Sequence, residues 1–279
     1  MIDATAPVSS AGVAGHVPIH GARTLLTGAS GGIGGAIARR FAQDGAELIL
    51  TGRRREALDA LAVELGAESI VADLSDRAAT EQLIEQAGRV DILIANAALP
   101  ASGRLSGVDA PRAADAVTVN LGAPIALARG LLAQMLERGS GHIVVIGSLQ
   151  SLAATTGASV YCATKFGLRG FALALRAELA GSGVGVSIVM PGFVSEAGLH
   201  ADAGVKLPFY VGTRRPDQVA DGVVRAIRDD RAELIVAPLP LRVGSWLSNV
   251  APDLSARATR LLGGDRIAAE FEKAQARKR

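Results

Sequence analysis

The chain has 279 residues, 49% of them hydrophobic and 20% charged, with a formal net charge of +2. That length suits one large α/β domain with a sizeable core, and so even a charge balance argues against a nucleic-acid binder. One cysteine, Cys162, allows no internal disulfide and fits a reducing, cytoplasmic compartment, while four scattered histidines give no metal-ligand cluster.

Residues 1–21 mix Ala, Ser, Gly, Val and Pro without periodicity and read as a flexible N-terminal tail. No Lys or Arg precedes Arg23, so a secretory n-region is not expected, and no apolar run has bilayer-spanning length. Beyond Arg23, apolar runs alternate with helical patterns. Strands are expected at Arg23–Thr27, Glu47–Thr51, Ser69–Ala72, Asp91–Ala95, His142–Ile146, Val184–Met190 and Glu233–Ala237. Helices are expected from the first glycine turn to about Asp44, and at Glu56–Leu65 and Arg77–Ala87. Three more are expected at about Pro111–Arg138, about Ser159–Ala180 and Pro216–Asp229. This alternation means an α/β fold, a doubly wound parallel sheet of about seven strands. Aromatics are only 3%, so the core must be aliphatic, as parallel sheets favour. Ligands of such sheets bind outside the carboxyl ends of the strands. The residues just after each strand therefore carry the functional reading.

The first strand runs into Thr27-Gly28-Ala29-Ser30-Gly31-Gly32-Ile33-Gly34, and a helical pattern follows. A glycine-rich strand-to-helix turn keeps side chains away from an approaching group and offers unpaired helix N–H groups to a phosphate. Gly28, Ser30, Gly32, Ile33 and Gly34 are the candidate contacts. The same stretch matches the G-x-S-x-G nucleophile elbow of hydrolases, with Ser30 as the nucleophile. That reading is disfavoured: the elbow would sit on the first strand, and only His142 and His200 follow Ser30.

After strand two come Arg53 and Arg54, where an acidic residue would favour NAD by bonding the ribose 2′-hydroxyl. Arginine offers a planar fork to a 2′-phosphate, which favours NADP. Asp73 and Leu74 follow strand three; Asp73 either accepts the adenine amino group or caps the next helix. Asn96 and Ala97 follow strand four. Ser148 follows strand five. Tyr161 and Lys165 are four apart and share a helix face. A tyrosine normally titrates near 10. The lysine is expected to favour the phenolate, tuning the phenol for proton transfer. Pro124 lacks an N–H, so the Asn120 carbonyl loses its helical partner, and a local bend is expected there. Pro191, Gly192 and Val194 follow strand six.

Taken together, these residues resemble a short-chain dehydrogenase/reductase of the compact, single-domain branch. The resemblance rests on Thr27-Gly28-x-x-x-Gly32-Ile33-Gly34, Asn96-Ala97, Asn120, Ser148, Tyr161-x-x-x-Lys165 and Pro191-Gly192, in the family's order. It implies a Rossmann-type NAD(P)-binding domain over 22–240 and a helical C-terminal extension over 241–279. It implies an NADP-dependent oxidoreductase interconverting a carbonyl and a secondary alcohol. Tyr161 would exchange the proton, Lys165 would lower its pKa and bind the nicotinamide ribose, Ser148 would hold the substrate oxygen, and Asn120 would support a proton relay. A homodimer or homotetramer is implied, paired through the helices Pro111–Arg138 and Ser159–Ala180. The competing reading is a dinucleotide-binding sensor or scaffold without turnover. Ala98 stands where the family usually has glycine, and Glu196, preceded by Ser195, stands where it often has threonine.

Residues 193–213 read as a glycine-punctuated substrate lid, whose Leu207, Phe209 and Tyr210 suggest an apolar small-molecule substrate. Trp246, Leu247, Val250, Leu254, Leu261 and Leu262 follow with rough helical spacing, and 257–279 carry seven Lys/Arg against three Asp/Glu. A helix packed on the domain or a sister subunit is expected, with peripheral membrane contact the disfavoured alternative.

Overall fold

The structure, a computed structural model, describes residues 17–101, 103–195, 212–254 and 257. Seven strands form one sheet: β1 (Arg23–Thr27), β2 (Glu47–Gly52), β3 (Glu68–Val71), β4 (Ile92–Ala95), β5 (Gly141–Ile146), β6 (Val184–Pro191) and β7 (Glu233–Val236). Their order is β3-β2-β1-β4-β5-β6-β7 and every pairing is parallel. This is the doubly wound sheet expected from the alternation. The chain order reverses between β1 and β4, where Leu25 stands opposite Leu93. A crevice opens at such a switch point, at the carboxyl ends of the strands.

Helices cover both faces, so the central strands are apolar on both sides. On one face lie α1 (Gly32–Gln43), α2 (Arg55–Leu65) and α7 (Pro216–Arg228), which bury Ile37, Phe41, Leu58, Val223 and Ile227 against the sheet. On the other lie α3 (Arg77–Ala87), α5 (Ala123–Arg138) and α6 (Ser159–Glu178), which bury Leu83, Leu127, Leu131, Leu168 and Leu175. Each such side chain contributes roughly 1.5–3 kcal/mol relative to full exposure.

Three expectations change. The helix expected over Pro111–Arg138 is interrupted: α4 (Ala110–Val117) leads into a π-helical turn, Thr118–Gly122, and only then α5. Ala123 donates its N–H to the Thr118 carbonyl, five residues back, because Pro124 offers none to Asn120. By length and composition Ala110–Arg138 could cross a membrane. Its buried side instead packs Leu127, Leu131 and Met135 into the core. The folded domain also begins before residue 22, since Val17 is buried against the α1 side; the expected tail up to residue 16 lies outside the described residues. Finally, α8 (Leu239–Val250) starts the C-terminal extension, of which residues 255–256 and 258–279 lie outside the described residues.

Candidate active site

The glycine turn after β1 is packed backbone to backbone. Gly28 has φ +67°, and a Cβ there would stand 2.9 Å from the Ala97 Cα. A Cβ on Gly34 would stand 2.2 Å from the Gly28 carbonyl oxygen, so only glycine lets α1 start this close to the turn. Gly31 is the N-cap of α1, and no side chain caps the helix. Gly31 and Gly32 are exposed and Ile33 is half-buried. The first N–H groups of α1 thus face an open surface that suits a phosphate.

Beside this turn stand the arginines after β2. A Cβ on Gly52 would lie 3.1 Å from the Ser30 hydroxyl, which places Ser30 at the β2 end. Arg54 donates to the Ser30 carbonyl and is thereby tied to the turn. Arg53 is more open: its side chain is 58% exposed and 3.9 Å from the Asp73 carboxylate. Asp73 accepts from the Ser75 N–H and hydroxyl, and these bonds hold its pKa below the usual carboxylate range, with Arg53 adding to the effect. Leu74 is buried behind it. The glycine cradle suits the diphosphate of a dinucleotide, and the guanidinium groups of Arg53 and Arg54 stand beside it.

The hydrolase reading of Ser30 fails. Of the two later histidines, His200 lies outside the described residues. His142 stands in β5, buried, with Nε2 2.8 Å from the Ser187 hydroxyl. It pairs in register with Ile92 and Gly185 at the start of those strands, the opposite end of the sheet from Ser30.

Asn96 and Ala97 lock β4 to β1. Both N–H groups donate to the Thr27 hydroxyl at 3.0 Å, and the Asn96 amide donates to the Thr27 and Gly28 carbonyls. Asn120 is fully buried in the π turn. Its side-chain oxygen accepts from the Leu99 N–H at 2.6 Å, and its amide donates to the Leu99 carbonyl and the Thr164 hydroxyl. Thr164 in turn donates to the Tyr161 carbonyl at 2.8 Å. Thr164 joins this framework without having stood out in the sequence, and Thr27, quoted there only as part of the glycine motif, gains a role of its own. A hydroxyl at the last residue of a strand before a glycine turn was the available signal for Thr27.

Ser148, Tyr161 and Lys165 come together at the end of β5. Tyr161 is 8% exposed, and Ser148 stands near enough to its phenol to favour the charged form. Ser148 also accepts from the Gln150 N–H and donates its own N–H to Ser151, which fixes the short turn Leu149–Ser151. Lys165 is 2% exposed; its ammonium donates to the Ile146 carbonyl at 2.8 Å and lies 5.6 Å from the Tyr161 ring centre. The expected downward shift of the phenol is not what this geometry gives. Burial pushes Tyr161 up to about 12, and the nearby Ser148 only partly offsets it. Burial pushes Lys165 down to about 8. Spacing put the lysine near the tyrosine but could not weigh desolvation, which dominates once both are buried.

The family follows from a match over most of this framework. Residues 22–204 match the sequence profile of the short chain dehydrogenases. The chain is a short-chain dehydrogenase/reductase. Ketoacyl reductase HetN from Nostoc sp. (strain PCC 7120 / SAG 25.82 / UTEX 2576) is 36% identical over 230 residues, covering 79% of this chain and 80% of that protein. Dehydrogenase/reductase SDR family member 7B from Xenopus laevis is 32% identical over 258 residues, covering 85% and 80%. A solved structure from Beutenbergia cavernae, described as a candidate NAD(P)-dependent gluconate 5-dehydrogenase with NADP bound at low occupancy, aligns with TM-score 0.73. It is 31% identical, covering 83% of this chain and all of that one.

The reductase/dehydrogenase framework also orients the stretch after β6. Pro191 ends that strand. The Gly192 N–H donates to the Val236 carbonyl, and a Cβ on Gly192 would meet Ala237 and Leu149 at 3.0 and 3.2 Å. Val194 is buried and bridges to Arg214. The Ser195 hydroxyl donates to the Arg214 carbonyl at 3.4 Å. Glu196 and the apolar lid residues Leu207, Phe209 and Tyr210 lie outside the described residues.

Proposed function

We propose that this protein is an NADP-dependent oxidoreductase interconverting a carbonyl and a secondary alcohol, with Ser148, Tyr161, Lys165 and Asn120 as its working set. One observation carries the reading: Ser148, at the carboxyl end of β5, stands close enough to the buried Tyr161 phenol to draw its pKa down, beside a buried lysine. Two neighbouring hydroxyls form a site for one substrate oxygen. A phenol that titrates near 12 keeps its proton at neutral pH, so Tyr161 enters as the donor to a carbonyl undergoing reduction. Lys165, titrating near 8, is a cation at that pH and stabilises negative charge arising on the phenol oxygen. Asn120 fixes the stretch at Leu99 and the helix turn at Thr164 that together frame the tyrosine.

A bound nicotinamide dinucleotide would supply or take the hydride. Gly28, Gly32, Ile33 and Gly34 would hold its diphosphate, Ser30, Arg53 and Arg54 the 2′-phosphate, and Asp73 and Leu74 the adenine. Asn96, Ala97, Tyr161, Lys165, Pro191, Gly192 and Val194 would line the ribose and nicotinamide side. The preference for NADP rests on the two arginines and the NADP-bound neighbour. An apolar keto substrate, a cytoplasmic setting and a homo-oligomeric state complete the proposal. The ketoacyl reductase named among the relatives agrees with the substrate class.

The test is NADPH oxidation over a panel of ketones and aldehydes, with NADH in parallel. Turnover is expected for the wild type, and Tyr161→Phe should lower it by at least about 100-fold. Dinucleotide binding should survive in that variant. A wild type that binds NADPH yet reduces nothing would point to the sensor reading instead.

A further inference from the structure

Helix α8 turns a mixed side inward, with two serines on it. Leu241, Ser245 and Ser248 face the protein on successive turns, and only Ser245 is fully buried. Asn249 accepts from the Arg169 guanidinium at 3.4 Å. The opposite side carries Leu239, Val243, Trp246, Leu247 and Val250, and the exposed Leu254 follows beyond the helix end. These six side chains are 43–67% exposed. The other large apolar side chains exposed among the described residues are dispersed over α2, β3, α4, α5, α6 and the Leu105 turn. Single exposed apolar residues are ordinary, but five along one helix face mark an interaction surface.

A second feature flanks it. A groove of about 510 Å³ runs between α7, β7 and α8, lined by Arg214, Arg225, Arg231 and Arg242. Among the described residues none of the four makes a close salt bridge, although Asp229, paired with Arg228 at 2.8 Å, also feels the charges of Arg225 and Arg231. The other carboxylate in the groove, Glu233, pairs with Arg169 at 2.5 Å, so the groove keeps an excess of positive charge. Arg242 is itself on α8, about a quarter-turn from the apolar stripe. The sequence adds seven Lys/Arg against three Asp/Glu over 257–279.

We propose that α8 and the arginine groove beside it dock this protein on the surface of an anionic lipid bilayer. The apolar stripe enters the headgroup boundary while guanidinium groups pair with lipid phosphates. At 12 residues α8 is too short to cross a bilayer, so it lies in the plane of the interface. Trp246 at the middle of the stripe suits that boundary, where indoles are enriched. A second copy of the chain fits the same surface poorly. Stripe-to-stripe pairing would bring two basic grooves together, and like charges oppose it. The docking helix itself packs on the turn Leu149–Ser151 after Ser148.

Trp246 is the chain's single tryptophan, so its emission reports the stripe directly. The full-length protein is mixed with vesicles of phosphatidylcholine alone, or of phosphatidylcholine with phosphatidylglycerol. With the anionic vesicles we expect a blue shift of emission and co-sedimentation, both weakened by high salt. Val243→Ser combined with Leu247→Ser and Val250→Ser should lower the bound fraction at least tenfold. Arg231→Ala with Arg242→Ala should weaken binding to anionic vesicles without touching the stripe. The wild type alone keeps the proposal testable should a variant misfold, since brominated lipid must quench Trp246 if the stripe inserts. Unshifted emission with no sedimentation would overturn it. So would equal sedimentation of wild type and triple-serine protein. A fall in molecular mass on triple-serine substitution, without vesicle binding, would assign the stripe to contact between copies.

Discussion

Among the described residues Lys165 has one hydrogen-bond acceptor, the Ile146 carbonyl, and it is 2% exposed. Its folded pKa of about 8 lies below the ordinary 10.5. Between those values the unfolded chain holds a proton that the folded chain has released, so stability from this group rises with pH across that window. Below pH 8 both states are protonated and the full cost of burying the cation remains. Tyr161 acts in reverse but later: the folded phenol keeps its proton to about 12, so its contribution falls only above pH 10. Melting wild type and Lys165→Met side by side from pH 7 to 10 isolates the lysine. Wild type should gain on the variant as pH rises, by on the order of 3 kcal/mol at most. A constant gap between the two curves would mean the lysine is solvated. Arg53 supports a different prediction. Its guanidinium is open to solvent where Arg54 is tied to the turn, so Arg53→Ala should raise the KM for NADPH roughly 10- to 100-fold. The KM for NADH should stay within about twofold, because NADH has no 2′-phosphate to pair with that guanidinium. Equal rises for both cofactors would place the arginine elsewhere.

The π turn between α4 and α5 shows what an element adds to its residues. Proline at 124 removes a donor, the ladder widens by one residue, and the buried Asn120 amide turns to grip Leu99 and Thr164. Asn120→Ala leaves the Leu99 N–H and carbonyl without their partner and should cost roughly 2–3 kcal/mol in urea unfolding. Turnover should fall with it, because the segment framing Tyr161 loosens; a variant as stable as wild type would deny the clamp. The proline itself was legible in the sequence, and so was trouble at Asn120. The π form and the Leu99 clamp were not, since both depend on where the β4 loop lands. Strand β1 was readable to the residue because Thr24-Leu25-Leu26 is buried on both faces between two turn signals. Edge strand β3 slid by one residue, because Glu68, Ser69 and Val71 are exposed and carry no burial pattern to fix its ends.

Facing is where a sequence says least about the whole molecule. Trp246, Leu247 and Val250 have helical spacing whether they pack inward or outward, and only the fold shows them turned to solvent. The lysine beside Tyr161 has the same ambiguity: spacing gave its proximity, and burial decided which way the phenol moved. Other apolar side chains left open on the assembled domain make a separate prediction. Val117 on α4, Leu136 on α5 and Phe166 on α6 are 45%, 41% and 38% exposed, on helices of one sheet face. The family resemblance pairs that region across a two-fold axis, which would give those side chains an apolar environment. Light scattering should therefore return at least twice the 28.4 kDa of one chain. Leu136→Arg with Phe166→Arg should reduce it to a monomer, since two guanidinium groups would be buried without partners at the contact. The α8 serine variants should leave the mass unchanged, because that stripe is assigned to lipid and not to another chain. A wild-type monomer at micromolar concentration would reject pairing through these helices, and the exposed Leu136 and Phe166 would then need another account.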